Sequence, residues 1–363
     1  MPTPEQQLFS EIKKLHEKRQ ETLKFSIEND TPDNQKYLEE EKRLAEETKK
    51  KIEELRGRLW TFEKELSRSE LQKQYQAQKE IFQTNHLLET LSTGEIGIKG
   101  IDQKEYSFPT LEQIQKELQK NPELKIKMKQ EFVEINITPF ALPLSRLTGT
   151  ISQAVLRHKK EGKLFATKKD QNDPDESLEL DEIQPLWISD EYQDADINNS
   201  LVYFPKQFDQ TNHQGKTKTE ILNLKTAFPG YLITLQEKNL NIPAKKQGQT
   251  RNNRKQIEAG KTPEEYLQKL QTEKQYQNET GIVPEEWLTR FLIHLEKTNQ
   301  VIDDYEGNGK INYNLAGYLA ASGAVSSADW DRSDRQAFLV RYDSGNRDSG
   351  IGARSAVRVG IGV

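Results

Sequence analysis

The sequence predicts an α+β protein in which a helical, coiled-coil-like N-terminal region precedes a strand-rich C-terminal domain. Three observations carry this. Ile52, Leu55, Leu59, Phe62 and Leu66 recur at alternating steps of three and four in Glu/Lys/Gln-rich sequence, the spacing of a coiled-coil seam. Short runs rich in β-branched and aromatic residues, bounded by turn residues, recur from Trp187 to Leu235. The tail after Lys310 contains no lysine and no glutamate, which are among the commonest residues elsewhere. The division read from these signals is a helical hairpin over 1–95, a small helical connector over 96–165 and the strand-rich domain over 166–363.

Each element follows from local chemistry. Glu5 to Ser26 suits one helix, which Thr31-Pro32-Asp33 breaks and recaps. A second helical pattern runs from Tyr37 to about Leu91. It reads as an antiparallel hairpin packed on itself or on the rest of the chain, or as a helix for self-association or partner docking. Leu111, Ile114 and Leu118 mark a short amphipathic helix, and Phe132 to Phe140 an extended strand. A helix follows from about Leu147 to Glu161. Asn172-Asp173-Pro174-Asp175 reads as a loop, and the basic stretch Lys245 to Lys255 as a solvated one. Thr262-Pro263-Glu264-Glu265 supplies an N-cap, a proline at the first helical position and a glutamate three residues after the cap. Pro284-Glu285-Glu286 opens a further helix whose buried stripe is Leu288, Phe291, Leu292 and Leu295.

Composition excludes several function classes. A net charge of −5 and a pI near 5.8 argue against a general nucleic-acid binder, which carries a basic excess. With no cysteine, the chain has no disulfide framework, thiolate catalysis or Cys-ligated zinc. The expected metal count is therefore none, since the five histidines are scattered without ligand spacing. The turn at Asp304 to Gly309 resembles a calcium loop but places Leu315 where a bidentate carboxylate is needed. No phosphate loop or nucleophile elbow appears, so no enzyme activity and no cofactor are expected. Met1 to Gln7 lacks a basic region followed by an apolar one, and no apolar run could span a membrane. A cytoplasmic location is the expectation.

The tail's charge comes only from arginine and aspartate, amid Ser, Gly, Ala, Asn and Tyr. Those residue types suit adaptable recognition surfaces. Within it, Ala321-Ser322-Gly323, Trp330-Asp331-Arg332, Arg335-Gln336-Ala337 and Gly352-Ala353-Arg354-Ser355-Ala356-Val357-Arg358-Val359 resemble the variable region of target proteins of diversity-generating retroelements. Upstream, Thr138 to Leu144, Tyr203 to Phe208, and Trp287 to Asp304 in part resemble such proteins from bacteria of the candidate phyla radiation. The likeness runs from about residue 130 to the C-terminus.

The resemblance implies a C-type lectin-like fold, of the formylglycine-generating-enzyme type, over 166–363, with a variable region at about 317–359. It implies a ligand-binding protein whose diversified surface meets a protein or other macromolecular ligand. In that family, template adenines are replaced at random, most often in asparagine codons. Such codons can yield Asp, Ser, Arg, Tyr, Phe or Val but not Lys, Glu, Gln, Met or Trp, which matches the tail's missing residues. The positions expected to vary and to face solvent together are Ser327, Asp329, Asp331, Ser333, Asp334, Phe338, Val340, Arg341, Tyr342, Asn346, Arg347 and Asp348. Trp330 and Gln336 are expected to be fixed scaffold positions, with Gly352, Arg354 and Arg358. Trp330, Leu339, Ile351, Ala353, Val357 and Val359 would pack beneath. The alternative is a coiled-coil structural adaptor with a non-variable C-terminal interaction module. The related enzymes' oxidation chemistry depends on cysteines and cannot carry over.

Overall fold

The computed structural model describes residues 4–28, 34–58, 62, 64–164, 180, 182–307 and 309–360. It divides into two compact units, Met1–Arg68 and Ser69–Val363. Among the described residues no helix is long and apolar enough to cross a membrane.

In the first unit, α1 (Pro4–Glu28) and α2 (Asn34–Arg58) form an antiparallel hairpin. Ion pairs fix the register: Glu11 with Lys51, Lys18 with Glu40 and Arg19 with Glu41. Leu8 and Leu44 are buried, whereas Phe9 and Leu38 are exposed. The continuous helix expected from Tyr37 to Leu91 is not formed. Phe62 and Leu66 of the expected seam are buried but lie in turn, and Leu59 lies outside the described residues. The 172–175 loop also lies outside them.

The second unit is mixed α and β. Helix α3 (Arg68–Thr84), expected in the N-terminal arm, belongs here for a specific reason. Strand β1 (Glu89–Thr90), β2 (Ile96–Lys99) and β3 (Glu105–Ser107) make a small antiparallel sheet, and α4 (Leu111–Lys120) and α5 (Leu124–Lys129) follow. Strand β4 (Phe132–Thr138) then lies at the edge of a four-stranded sheet. Buried Gln74 and Gln78 of α3 bond that edge in place of a further strand. Gln74 donates to the Val133 carbonyl at 3.2 Å and accepts from the Ile135 amide at 2.9 Å. Gln78 does the same with the Ile135 carbonyl and Ile137 amide, at 2.7 and 3.0 Å. An edge strand must be covered or paired, and here two glutamines pair it.

Helix α6 (Leu144–Lys160), β5 (Leu186–Ile188), β6 (Leu201–Tyr203), β7 (Lys216–Thr217) and α7 (Lys218–Leu222) lead to β8 (Leu232–Glu237). The basic stretch read as a solvated loop forms a hairpin, β9 (Thr250–Arg251) and β10 (Arg254–Lys255). Arg254 is buried, with Nε and Nη2 each 2.7 Å from the Glu279 carboxylate. A basic run hid a structural cation because spacing alone does not reveal a distant carboxylate. Helix α8 (Pro263–Thr272) begins with the expected capping box on Thr262.

Strand β11 (Glu279–Gly281) leads into α9 (Pro284–Thr298). The strands β12 (Asp304–Tyr305), β13 (Ile311–Leu319), β14 (Ala324–Asp331), β15 (Gln336–Asp343), β16 (Ile351–Ala353) and β17 (Ser355–Arg358) complete the chain. The antiparallel four-stranded sheet has the order β11-β17-β8-β4, and the larger sheet β5-β15-β14-β13-β6-β7. Helix α9 packs against β4 of the first sheet and β13 and β14 of the second, with α6 beside it. The expected stripe is buried, and so are Glu285, Glu286, Thr289 and Arg290. The helix is therefore a central element covered on most sides, not an amphipathic surface helix. Its buried acids find partners locally, with Glu285 Oε2 alone of their oxygens buried and unpaired among the described residues. Glu285 meets Tyr203 at 2.6 Å and Lys218 at 2.8 Å. Glu286 caps the Val283 amide at 2.9 Å and accepts from Thr234 at 3.0 Å.

Candidate functional site

The tail folds as the meander β13-β14-β15, and the register sorts its side chains. Successive residues of a strand point to opposite faces. On one face Trp330 stacks on Phe291 of α9, with centroids 6.4 Å apart. Its cross-strand neighbour Ala337 and the next pair, Ala328 and Leu339, are buried with it. On the opposite face β14 presents Val325, Ser327, Asp329 and Asp331, in register with Tyr342, Val340, Phe338 and Gln336 of β15. That face brings together Ser327, Asp329, Asp331, Phe338, Val340 and Tyr342 of the expected set.

Two aromatic residues from outside the tail join it. Strand β5 runs parallel to β15 and sets Trp187 beside Phe338, ring centroids 5.6 Å apart. Strand β12 runs parallel to β14 and sets Tyr305 beside Asp331. Sequence reading took Trp187 only as part of a strand. A tryptophan in a short run bounded by turn residues is the signal that could have marked it; the structure leaves it 36% exposed. One end of the face is closed by α8, whose Tyr266 lies 6.2 Å from Tyr313, itself edge-on to Tyr342 at 5.4 Å.

The other expected positions lie elsewhere. Arg341 points to the face away from Tyr342 and pairs with Glu191 at 2.6 Å. Ser333 and Asp334 are exposed in the β14–β15 turn, where Asp331 Oδ1 accepts from both backbone amides at 2.7 and 3.1 Å. Asn346 and Arg347 are exposed in the loop after β15, and Arg347 donates to Glu265 at 2.6 Å. Asp348 returns to the face. It accepts from the Gly350 amide at 2.6 Å, and burial, then the Asp348 charge, raises the pKa of Tyr305 and of Tyr342.

Two expectations of exposure fail. Ser327 is 0% and Asp329 4% exposed. Both are short side chains in the middle strand of the meander, and larger neighbours overtop them: Tyr313 and Val340 flank Ser327, and Phe338 is paired with Asp329. The Ser327 hydroxyl donates to the Val340 carbonyl at 3.4 Å. Among the described residues the Asp329 side chain has no hydrogen-bond or ion-pair partner. Burial, then Asp331, Asp303 and Asp334, push its pKa well above the usual carboxylate range.

This sets the sign of a stability effect. The folded-state pKa exceeds the unfolded value near 4. Below that value the side chain costs nothing electrostatically, and its destabilising effect grows as pH rises toward the folded-state pKa. Asp329→Asn should therefore stabilise the protein at pH 7 by about 1–3 kcal/mol. The advantage should vanish near pH 3.5 (measured by denaturant titration at both pH values). Identical profiles for parent and variant would contradict the assignment.

The scaffold expectations fare unevenly. Trp330 is fully buried, and Leu339, Ile351, Ala353, Val357 and Val359 are buried as well. A Cβ on Gly352 would sit 2.4 Å from Ile242 Cγ2, so only glycine fits without a shift. Arg354 pairs with Asp303, which also accepts from Trp287 Nε1 at 2.8 Å. Arg358 lies 3.7 Å over the Phe204 ring, and burial, opposed by Glu286, lowers its pKa. Gln336 is not beneath the face but on it, opposite Asp331, with Oε1 buried and without a partner. His294 is only partly buried. Its Nε2 has no partner, and burial, with Arg290, lowers its pKa to about 4.

Among the described residues no group of three or more His, Cys, Asp or Glu side chains is placed to hold a metal ion. No protein-family model matches the chain, and neither the curated proteins nor the solved structures compared with it include a significant match.

Proposed function

We propose that the chain is a ligand-binding protein that presents a diversified face on a C-type lectin-like scaffold, the product of retroelement-directed variation. The observation carrying this is the separation of two sets of residues on one meander. Asp331, Phe338, Val340 and Tyr342 lie on a face that the helix α9 does not cover, while Trp330, Ala328, Ala337 and Leu339 hold the opposite face against it. A surface that must change needs a support whose stability does not depend on the changing residues. The mixed α and β architecture and the two parallel strands that frame the meander are in keeping with this reading. Recognition would be noncovalent, anchored by a few aromatic residues, with Trp187 and Tyr305 as constant contacts beside the variable ones.

Sequencing the DNA flanking the gene tests the diversification directly. The reading expects a neighbouring reverse transcriptase and a near-copy of the tail's coding sequence that differs from it only at template adenines. Differences should cluster in the codons of Asp331, Phe338, Val340 and Tyr342 and spare those of Trp330 and Gln336. A locus with neither a reverse transcriptase nor a repeat would refute it.

A further inference from the structure

Among the described residues, each of the other well-buried carboxylates of the second unit has a partner on at least one oxygen. Asp196 pairs with Lys218, Glu279 with Arg254 and Lys127, Asp303 with Arg354, and Asp304 with Arg332. Glu285 and Glu286 have the partners described above. The Asp329 side chain, 4% exposed, has none among the described residues. Burying a carboxylate without a counter-charge is costly, and proteins pair such groups. Of the tail's six arginines, Arg332, Arg341, Arg347 and Arg354 are engaged by Asp304, Glu191, Glu265 and Asp303, and Arg358 lies over the Phe204 ring. Asp331 and Asp348 add negative charge on the same face, and no lysine lies on the three strands that form it.

The surroundings narrow what would satisfy this group. Asp329 shares its face with Phe338, and the Phe338 ring leans on Trp187. A carboxylate recessed beside aromatic rings suits a planar cation that can fork two N–H donors onto the carboxylate and lie against a ring. We propose that this face takes its ligand through a protruding arginine side chain, the guanidinium on Asp329 and the stem along Phe338 and Trp187. This rests on reading the face as the binding surface. Burial, with Asp331, Asp303 and Asp334, favours the protonated form of Asp329, so below its raised pKa docking of the cation releases a proton to solvent and affinity should rise with pH.

The test uses the full chain with N-acetylarginine methylamide as probe and N-acetylnorleucine methylamide as the uncharged control, followed by NMR shifts of the Trp187 indole. The arginine probe should bind and the norleucine probe should not. Asp329→Asn, which should fold at least as stably, should weaken arginine binding about tenfold or more. Equal binding of the two probes, no binding of either, or full retention in Asp329→Asn would overturn the proposal. Random peptide loops selected against the whole protein separate this from the reading beneath it. Loops that carry arginine and lose binding in Asp329→Asn support both. Loops that lose binding in Trp187→Ala and Tyr342→Ala but carry no cation overturn the arginine and leave the face. Loops unaffected by any of these changes overturn both.

Discussion

Trp330→Ala should cost about 3–5 kcal/mol of folding stability. The ring is fully buried and stacks on Phe291, at the junction of the meander and the central helix. Truncation removes its apolar surface and leaves a cavity that α9 cannot close, because that helix is held on its other side by β4 and α6. The indole Nε1 has no hydrogen-bond partner, so the loss is one of packing. The backbone amide would keep its 3.0 Å bond to the Asp303 carbonyl, which preserves the register of β14. Chemical denaturation should show a lower midpoint with an unchanged slope. A loss under 1 kcal/mol would mean that the ring is not a structural anchor.

Lys218→Met should be comparably severe, at about 3–5 kcal/mol. The Lys218 ammonium is fully buried at the start of α7. It lies 2.6 Å from Asp196, 2.8 Å from Glu285 and 2.9 Å from the Leu142 carbonyl, with the Phe140 ring 5.1 Å away. Methionine fills much of the space but leaves two buried carboxylates facing each other without a cation. Burial works against the Lys218 charge, but Glu285 and Asp196 outweigh it and hold its pKa above the ordinary lysine value. A raised lysine pKa gives stability that is complete below about pH 10 and lost only as pH rises through the folded value. The contribution of the Lys218 charge should thus be insensitive to pH across the neutral range. Little loss in Lys218→Met would show that the two acids find other partners.

These two residues differ in how far the sequence revealed them. Trp330 was legible because the resemblance of the tail and the limits of asparagine-codon variation both set it apart from its neighbours. Lys218 was not, since its partners Asp196 and Glu285 are distant in sequence and one lysine among many carries no mark of burial. The start signals of α8 and α9 were legible because capping chemistry is local. The end of the hairpin was not, because α3 is recruited by hydrogen bonds from Gln74 and Gln78 to a strand some sixty residues on.

The face itself was only half legible. The run Val325 to Asp331 lacks clean alternation of apolar and polar residues, as expected where both faces of a strand are substantially covered. Composition could nominate Asp329 and Ser327 but could not foresee that Phe338, Val340 and Tyr313 overtop them. Nor could it join Trp187 to Phe338, since that contact depends on a parallel pairing across a long connection.

The central claim is that Asp331, Phe338, Val340 and Tyr342 on one side of the meander are free to change while Ala328, Trp330, Ala337 and Leu339 on the other are not. Its most direct measurement is the melting transition of chains in which Asp331, Phe338, Val340 and Tyr342 are randomised together, set beside chains randomised at Ala328, Trp330, Ala337 and Leu339. Most of the first set should unfold cooperatively, each change costing roughly 1 kcal/mol or less. Most of the second should have no cooperative transition. Equal loss of folding in the two sets would contradict the account.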